Sequence, residues 1–213
     1  MQSAHAAIVS ALKKAELWGT IVPPQLSESV PVQLEFPKAK VELGNAIEVA
    51  DAQAEPKVGF VSDDPIKDPQ DAHLLLVIDP DAPTRPDPKW GPFLHFIQPG
   101  LKPRSVDEIE ALHADKTSRS GADDGEDAGI WASNEGTKSL VEWLGPAPPE
   151  GSGPHRYVYL LYRQPNSEVK LPKSSPQGGI KDMEDRKQFD FESFVEINQL
   201  ELVGVNFHTS EKK

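Results

Sequence analysis

The chain contains no cysteine. That excludes disulfide staples, thiol nucleophiles and thiolate metal sites together. Positive charge is also scarce: 22 Lys and Arg stand against 34 Asp and Glu, for a net charge of -12. Such a balance argues against nucleic acid and against nonspecific attachment to anionic membrane surfaces. No apolar run approaches the roughly 20 residues of a transmembrane helix. Lys13, Lys14 and Glu16 interrupt the only stretch near the N-terminus that resembles a signal peptide, and there is no Asn-X-Ser/Thr acceptor. A cytoplasmic protein is the expectation. Catalytic and metal-binding spacings are missing as well, with no Gly-X-Ser-X-Gly, His-X-X-X-His or His-Glu-X-X-His.

Proline, by contrast, is abundant: 21 of 213 residues, about twice ordinary usage. The prolines lie between short apolar runs, which predicts a β-rich, loop-rich globule. A chain of this length has room for a sizeable core, and one domain with decorations, residues 1–213, is expected.

Residues 4 to 18 read as an amphipathic helix, with Ala4, Ala7, Ile8, Ala11, Leu12, Ala15 and Trp18 on one face and Gly19 after its end. Packing on the body is the plain reading of this N-terminal segment, 1–19; a detachable partner-binding arm is the alternative. Short strands are predicted at Val32–Phe36, Lys40–Leu43 and Lys57–Val61, followed by a polar loop through Asp71. Between Ser105 and Asp127 eight acidic and two basic residues carry half of the net charge. A short helix over Val106–His113 and a mobile Gly/Asp/Ser-rich stretch to Gly129 are expected there. Asp123–Asp127 lacks the alternating ligands and terminal Glu of an EF-hand, so a solvated acidic loop is the better reading. Beyond it come a strand candidate at Leu140–Leu144, a stiff Gly/Pro turn and a Tyr/Val-rich strand, His155–Tyr162. A polar tail over Pro165–Lys187, a short helix, Phe189–Asn198, and a last strand, Glu201–Phe207, complete the pattern.

The organising stretch is Leu74 to Phe96. Leu74–Ile78 is apolar at every position, as a strand covered on both faces should be. It breaks into Asp79-Pro80-Asp81-Ala82-Pro83, and a second apolar run, Phe93–Ile97, carries His95 in its middle. Two carboxylates at one strand end and a histidine on a neighbour predict a polar pocket at the sheet rim. An Asp-Pro turn leading into a hairpin with an incidental histidine is the alternative. His155 and Tyr157 lie two apart and therefore project from one face of their strand.

Asp79, Asp81, His95, His155 and Tyr157 admit three roles. A hydrolase needs a positioned nucleophile beside a histidine, and Tyr157 is a poor one at neutral pH. A metal site of two histidines and one or two aspartates is chemically sound, but no spacing demands it. An anion pocket is the most economical reading. Imidazole N–H and phenol O–H groups donate to phosphate or carboxylate, and a buried aspartate orients an imidazole and favours its charged form.

Asp79-Pro80-Asp81-Ala82-Pro83-Thr84-Arg85, followed by His95-Phe96 and by Gly151-Ser152-Gly153-Pro154-His155-Arg156-Tyr157, resembles the two signature regions of the phosphatidylethanolamine-binding protein family, which includes the Raf kinase inhibitor proteins. The block from Val141 to Pro165 resembles the fungal, carboxypeptidase Y inhibitor-like branch. The resemblance spans roughly Leu26 to Phe207. It implies a mainly β fold, a large antiparallel sheet packed on a smaller one with peripheral helices. It also implies a non-enzymatic binding protein with no cofactor and no metal, and with a pocket for phosphate, acetate or a phospholipid head group.

Carried over residue by residue, Asp79, His95, His155 and Tyr157 match the pocket's polar groups. Ala82, Pro83, Trp90, Leu144, Gly145 and Pro148 match its rim. Asp81, Phe93 and Arg156 match supporting positions. The implied partner is a serine carboxypeptidase, with a kinase-pathway role or a head-group carrier as alternatives, and the implied state is a monomer. Three departures stand out. Phe93 and Leu94 replace the Trp and second His usual in animal members, and Ala147 replaces a frequent rim glycine. No C-terminal helix pattern precedes Lys213, so a more open pocket is expected.

Overall fold

The computed structural model of the chain describes residues 4–26, 29–61, 72–103, 131–176 and 179–213. The polar loop expected at 63–71, the helix at 106–113 and the whole acidic insertion at 105–129 fall outside the described residues. Helix α1 spans Ala4–Lys14 and helix α2 Phe191–Ile197. The strands are β1 Gln33–Glu35, β2 Lys57–Gly59, β3 Ala72–Asp79, β4 Phe93–Leu101, β5 His155–Gln164 and β6 Glu201–Ser210. The last four form an antiparallel sheet in the order β4-β3-β5-β6, and β1 pairs with β2 in a second, smaller antiparallel sheet. Among the described residues no helix is long and apolar enough to cross a membrane.

β3 is central because both of its faces are apolar. Leu74, Leu76 and Ile78 join a core with Leu94, Val158, Leu160 and Val205, closed by Ile8 and Leu12 of α1 and by Phe194 of α2. Leu75 and Val77 turn the other way, onto Phe96, Tyr159, Leu161, Leu34 of β1 and Val58 of β2. All five residues from Leu74 to Ile78 are fully buried. Each such side chain contributes roughly 1.5–3 kcal/mol relative to exposure.

Several boundaries differ from expectation for identifiable reasons. α1 stops at Lys14 rather than at residue 18. Glu16 takes a left-handed φ of 56°, and its N–H bonds the Lys13 carbonyl while the Leu17 N–H bonds the Leu12 carbonyl at 2.9 Å. That is a Schellman end with Glu in the place usually held by Gly, stabilised by burial of Leu17. Lys40 and Val141 make single bridges, to Glu35 and Ile97, rather than the two further strands expected at 40–43 and 140–144. The stretch at 165–187 is more than a polar tail, since Pro172, Ile180 and Arg186 are buried. A mainly apolar cavity of about 320 Å³ remains under the first half of α1, between Ala7, Ile8, Val32, Val41 and Val205.

One buried amide ties β6 to the chain that covers it. The Asn206 Nδ2 group donates to the carbonyls of Val32 at 2.8 Å and Val41 at 3.1 Å. Its Oδ1 accepts from the backbone N–H groups of Leu43 and Phe207. Asn206→Ala strands several buried backbone groups at once, each costing about 1–3 kcal/mol. Urea unfolding of the variant is expected to show a loss of about 2–4 kcal/mol, and a loss below about 1 kcal/mol would contradict the clamp.

Candidate functional site

The site begins with an irregularity in β4. Val77 pairs with Phe96 but Ile78 pairs with Leu94, so β4 spends one extra residue, His95, where β3 spends none. Such a bulge re-aims a side chain. Here Leu94 and Ile97 keep to one core, Phe96 faces the other, and the His95 ring turns to the same side as Phe96, with its centroid 5.1 Å from that of Tyr157. The Phe93 ring packs against it at 5.2 Å. His95 Nδ1 lies 2.6 Å from the Leu144 carbonyl. A carbonyl only accepts, so Nδ1 carries the proton and Nε2 of the neutral ring keeps a lone pair.

The end of β3 supplies two carboxylates with separate duties. Asp79 Oδ2 accepts from Nδ1 of His155 at 2.7 Å, with both side chains almost wholly buried. Its other oxygen accepts from the Asp81 backbone N–H at 2.7 Å, which closes the turn. Asp81 takes the Arg156 guanidinium in a fork, Nη2 to Oδ1 at 2.6 Å and Nε to Oδ2 at 2.9 Å, and also accepts from the Arg156 backbone N–H. The same guanidinium donates to the Ala15 carbonyl at 2.6 Å. Arg156 thus joins the site's loop to the C-terminal end of α1, where a cation is favoured.

Asp79, His95, His155 and Tyr157 therefore converge, and Asp81 and Arg156 stand behind them. The rim residues are arranged around this group. The Ala82 carbonyl, next to Pro83, accepts from the Trp90 N–H at 2.9 Å. The Trp90 ring is covered by Lys187 Nζ, 4.3 Å from its centroid. Leu144 is held by His95, and Gly145 and Pro148 are buried in the turn that follows. Two glycines are needed for close approach. A Cβ on Gly91 would lie 2.5 Å from the Pro80 carbonyl, and one on Gly145 would lie 2.9 Å from Gln53 Cα.

Two contributors escape a reading of the sequence. His208 is fully buried and its ring stacks on Tyr157 at 5.1 Å, while its Nδ1 shares a 3.2 Å hydrogen bond with the Tyr159 hydroxyl. It lies one residue past the predicted end of the last strand. Extending that strand's alternation would have found it. Arg186 lies in the segment read as polar, with no local signal to mark it.

Burial lowers the His95 pKa, and the charges of Arg186 and His155 add to this against the pull of Asp79 and the Leu144 carbonyl. Burial likewise holds His208 down at about 3, with His95 adding to it. For His155 burial is again the largest influence, but the hydrogen bond and charge of Asp79, with Asp81 and the Pro83 backbone, outweigh it and raise the pKa. The Tyr157 hydroxyl is held protonated by burial and by the Asp79 charge. Near neutral pH the site thus presents a neutral His95, a neutral His208 and an intact phenol, beside a His155 whose charged form Asp79 favours. His155 Nε2 is buried and makes no well-formed hydrogen bond, and the Pro83 backbone acts on the ring. Among the described residues no group of three His, Asp or Glu is arranged to hold a metal ion.

The chain belongs to the phosphatidylethanolamine-binding protein family, whose profile matches residues 37–207. It is 33% identical over 196 residues to the carboxypeptidase Y inhibitor of Saccharomyces cerevisiae, covering 82% of this chain and 80% of that protein. Its structure matches that of carboxypeptidase Y inhibitor complexed with its cognate proteinase, with a TM-score of 0.74 and 26% identity over 99% of this chain and 97% of the other. The phosphatidylethanolamine-binding protein of Plasmodium vivax shares the fold, with a TM-score of 0.62 and 20% identity over 96% of this chain and 97% of that one.

The Asp79–His155 pair has a testable pH signature. A raised histidine pKa stabilises the fold fully below the unfolded value near 6.5, and that stabilisation is lost as pH rises through the folded value. Asp79→Asn removes the opposing charge, so burial then holds His155 neutral and its pKa falls. NMR titration of the His155 ring is expected to show a midpoint lower by at least about one unit. The gap in unfolding free energy between wild type and variant should widen as pH falls from 8 to 5.5. An unmoved His155 midpoint would refute the pairing.

Proposed function

We propose that this protein is a non-enzymatic inhibitor of a serine carboxypeptidase of the carboxypeptidase Y type, acting as a single domain in the cytoplasm. The observation that carries this reading is end-to-end similarity. The chain is 33% identical to a carboxypeptidase Y inhibitor over most of both sequences, and its fold follows the inhibitor seen with its proteinase over 99% of its length. Binding rather than turnover is supported by the chemistry of the site. Its hydroxyl groups make weak nucleophiles: Tyr157 is held protonated, and the Ser210 hydroxyl donates to the Ile47 carbonyl at 2.7 Å.

A second reading concerns the pocket itself, a site for a small phosphorylated anion such as phosphate or a phospholipid head group, with acetate as a minimal analogue. The buried Nε2 of His155, which makes no well-formed hydrogen bond, favours it, since a poorly satisfied buried donor gains from any anion that reaches it. His155 Nε2–H and the Tyr157 hydroxyl donate, and the His95 Nε2 lone pair accepts. Two donors and one acceptor match a phosphate oxygen set that retains one proton. Ala82, Pro83, Trp90, Leu144, Gly145 and Pro148 would shape the entrance.

Inhibition of purified carboxypeptidase Y by the full chain tests the first reading, with His155→Ala alongside. Potent inhibition by the full chain is expected, and inhibition that survives in His155→Ala would put the contact outside the pocket. No inhibition at micromolar protein would overturn the inhibitor reading. Titration of the same two proteins with inorganic phosphate and phosphoethanolamine tests the second. His155→Ala is expected to bind both at least about tenfold more weakly, as loss of a charged hydrogen bond entails; equal binding would remove the pocket reading.

A further inference from the structure

Arg186 is 7% exposed and sits behind His95. Its Nη1 donates to the carbonyls of Leu94 at 3.2 Å and His95 at 3.0 Å, and its Nη2 to that of Glu142 at 2.9 Å. Its own carbonyl accepts from the Leu94 N–H at 2.8 Å. The residue therefore grips the backbone on both sides of the bond joining Leu94 to His95, where the bulge sets the direction of the His95 ring. The planar fork of a guanidinium reaches three carbonyls at once, which the point charge of a lysine does not.

The charges around the site are otherwise balanced. Asp79 is paired with His155 and Asp81 with Arg156. His95 and His208 are neutral near pH 7, as is Tyr157. Among the described residues no carboxylate is in ion-pair contact with Arg186, and only carbonyl oxygens satisfy its donors; burial lowers its pKa, and the charge of Glu142 acts against that. A buried cation without a contact ion pair is costly unless it is well hydrogen-bonded, and its field reaches further through protein than through water. In a chain of net charge -12, an anion site needs such a local source of positive potential.

Resting on the anion-pocket reading above, we propose that Arg186 is a positioning residue of that pocket: without touching the ligand, it supplies a buried positive charge that no contact ion pair cancels and pins the bulge that aims His95. Nothing in the Asp-Pro or Gly-Ser-Gly-Pro-His signatures contains this residue. It arrives from a segment some ninety residues beyond His95, at the separation the Arg186–His95 bond spans.

Two variants separate charge from mere support. Arg186→Lys keeps the charge and loses the fork, whereas Arg186→Gln keeps a donor and loses the charge. Both forfeit part of the same hydrogen bonding. Binding of inorganic phosphate to the full chain is measured by calorimetry at pH 7, and the His95 ring is titrated by NMR in the same proteins without ligand. Arg186→Lys, which keeps the charge but not the fork, is expected to bind phosphate about threefold more weakly than wild type, and Arg186→Gln at least tenfold more weakly. The His95 midpoint is expected to rise in Arg186→Gln and to stay near wild type in Arg186→Lys.

Equal phosphate binding by the two variants would overturn the proposal, because a purely structural support would not sense the charge. If wild type itself bound no phosphate, the pocket reading would fail and the charge role with it. The His95 titration would still decide the positioning role, which falls if the midpoint in Arg186→Gln is unmoved. If Arg186→Gln did not fold, Arg186→Met refolded with a stabilising osmolyte would take its place with the same expected losses.

Discussion

The interaction on which the rest of the site depends is the pairing of two carboxylates at the end of one strand with two consecutive residues at the start of its neighbour. Asp79 holds His155 and Asp81 holds Arg156, so the corner after β3 and the beginning of β5 form one rigid unit. Every group involved is buried or nearly so, where a partner removed leaves an uncompensated charge costing about 3–5 kcal/mol. Rigidity therefore comes from the penalty of breaking either pair. The turn hydrogen bond from Asp81 to Asp79 links the two pairs into a single network.

Around that unit the neighbouring elements are fastened in different ways. The Arg156 guanidinium continues to the end of α1 through the Ala15 carbonyl, and Arg85 pairs with Glu16 beside it at 2.7 Å. Movement at the C-terminal end of α1 must therefore disturb the loop that presents Asp79. On the far side, the segment from Arg186 to Phe189 pairs with Trp90, Pro92 and Leu94, and holds the turn under the pocket corner. These attachments tie the geometry around Asp79 and His95 to segments remote in sequence.

The site also illustrates how burial and charge sort chemically identical side chains. His95, His155 and His208 lie within one cluster, yet burial depresses two of them and Asp79 raises the third. One ring is drawn toward its charged form, one is a neutral ring with a free acceptor and one is a stacking surface for Tyr157.

Much of this was legible in the sequence, because local rules govern it. The apolar run Leu74–Ile78 announced a two-sided strand, and the alternation from His155 to Tyr162 announced its partner. The paired signatures identified the family, and Asp79, His95, His155 and Tyr157, read from those signatures, lie together in the fold. Cysteine's absence and the charge balance excluded whole classes of chemistry before any fold was known. What only the tertiary structure decided was everything that depends on register and long-range approach. The bulge at His95 arises from a one-residue mismatch between strands, and Glu16 ends α1 because a buried Leu17 makes a left-handed residue worthwhile. His208 was within reach of the last strand's alternation had that strand been extended, but Arg186 joins the site by a long crossing that leaves no trace in local spacing. Periodicity records which face a residue turns to; it does not record what the fold brings to meet it.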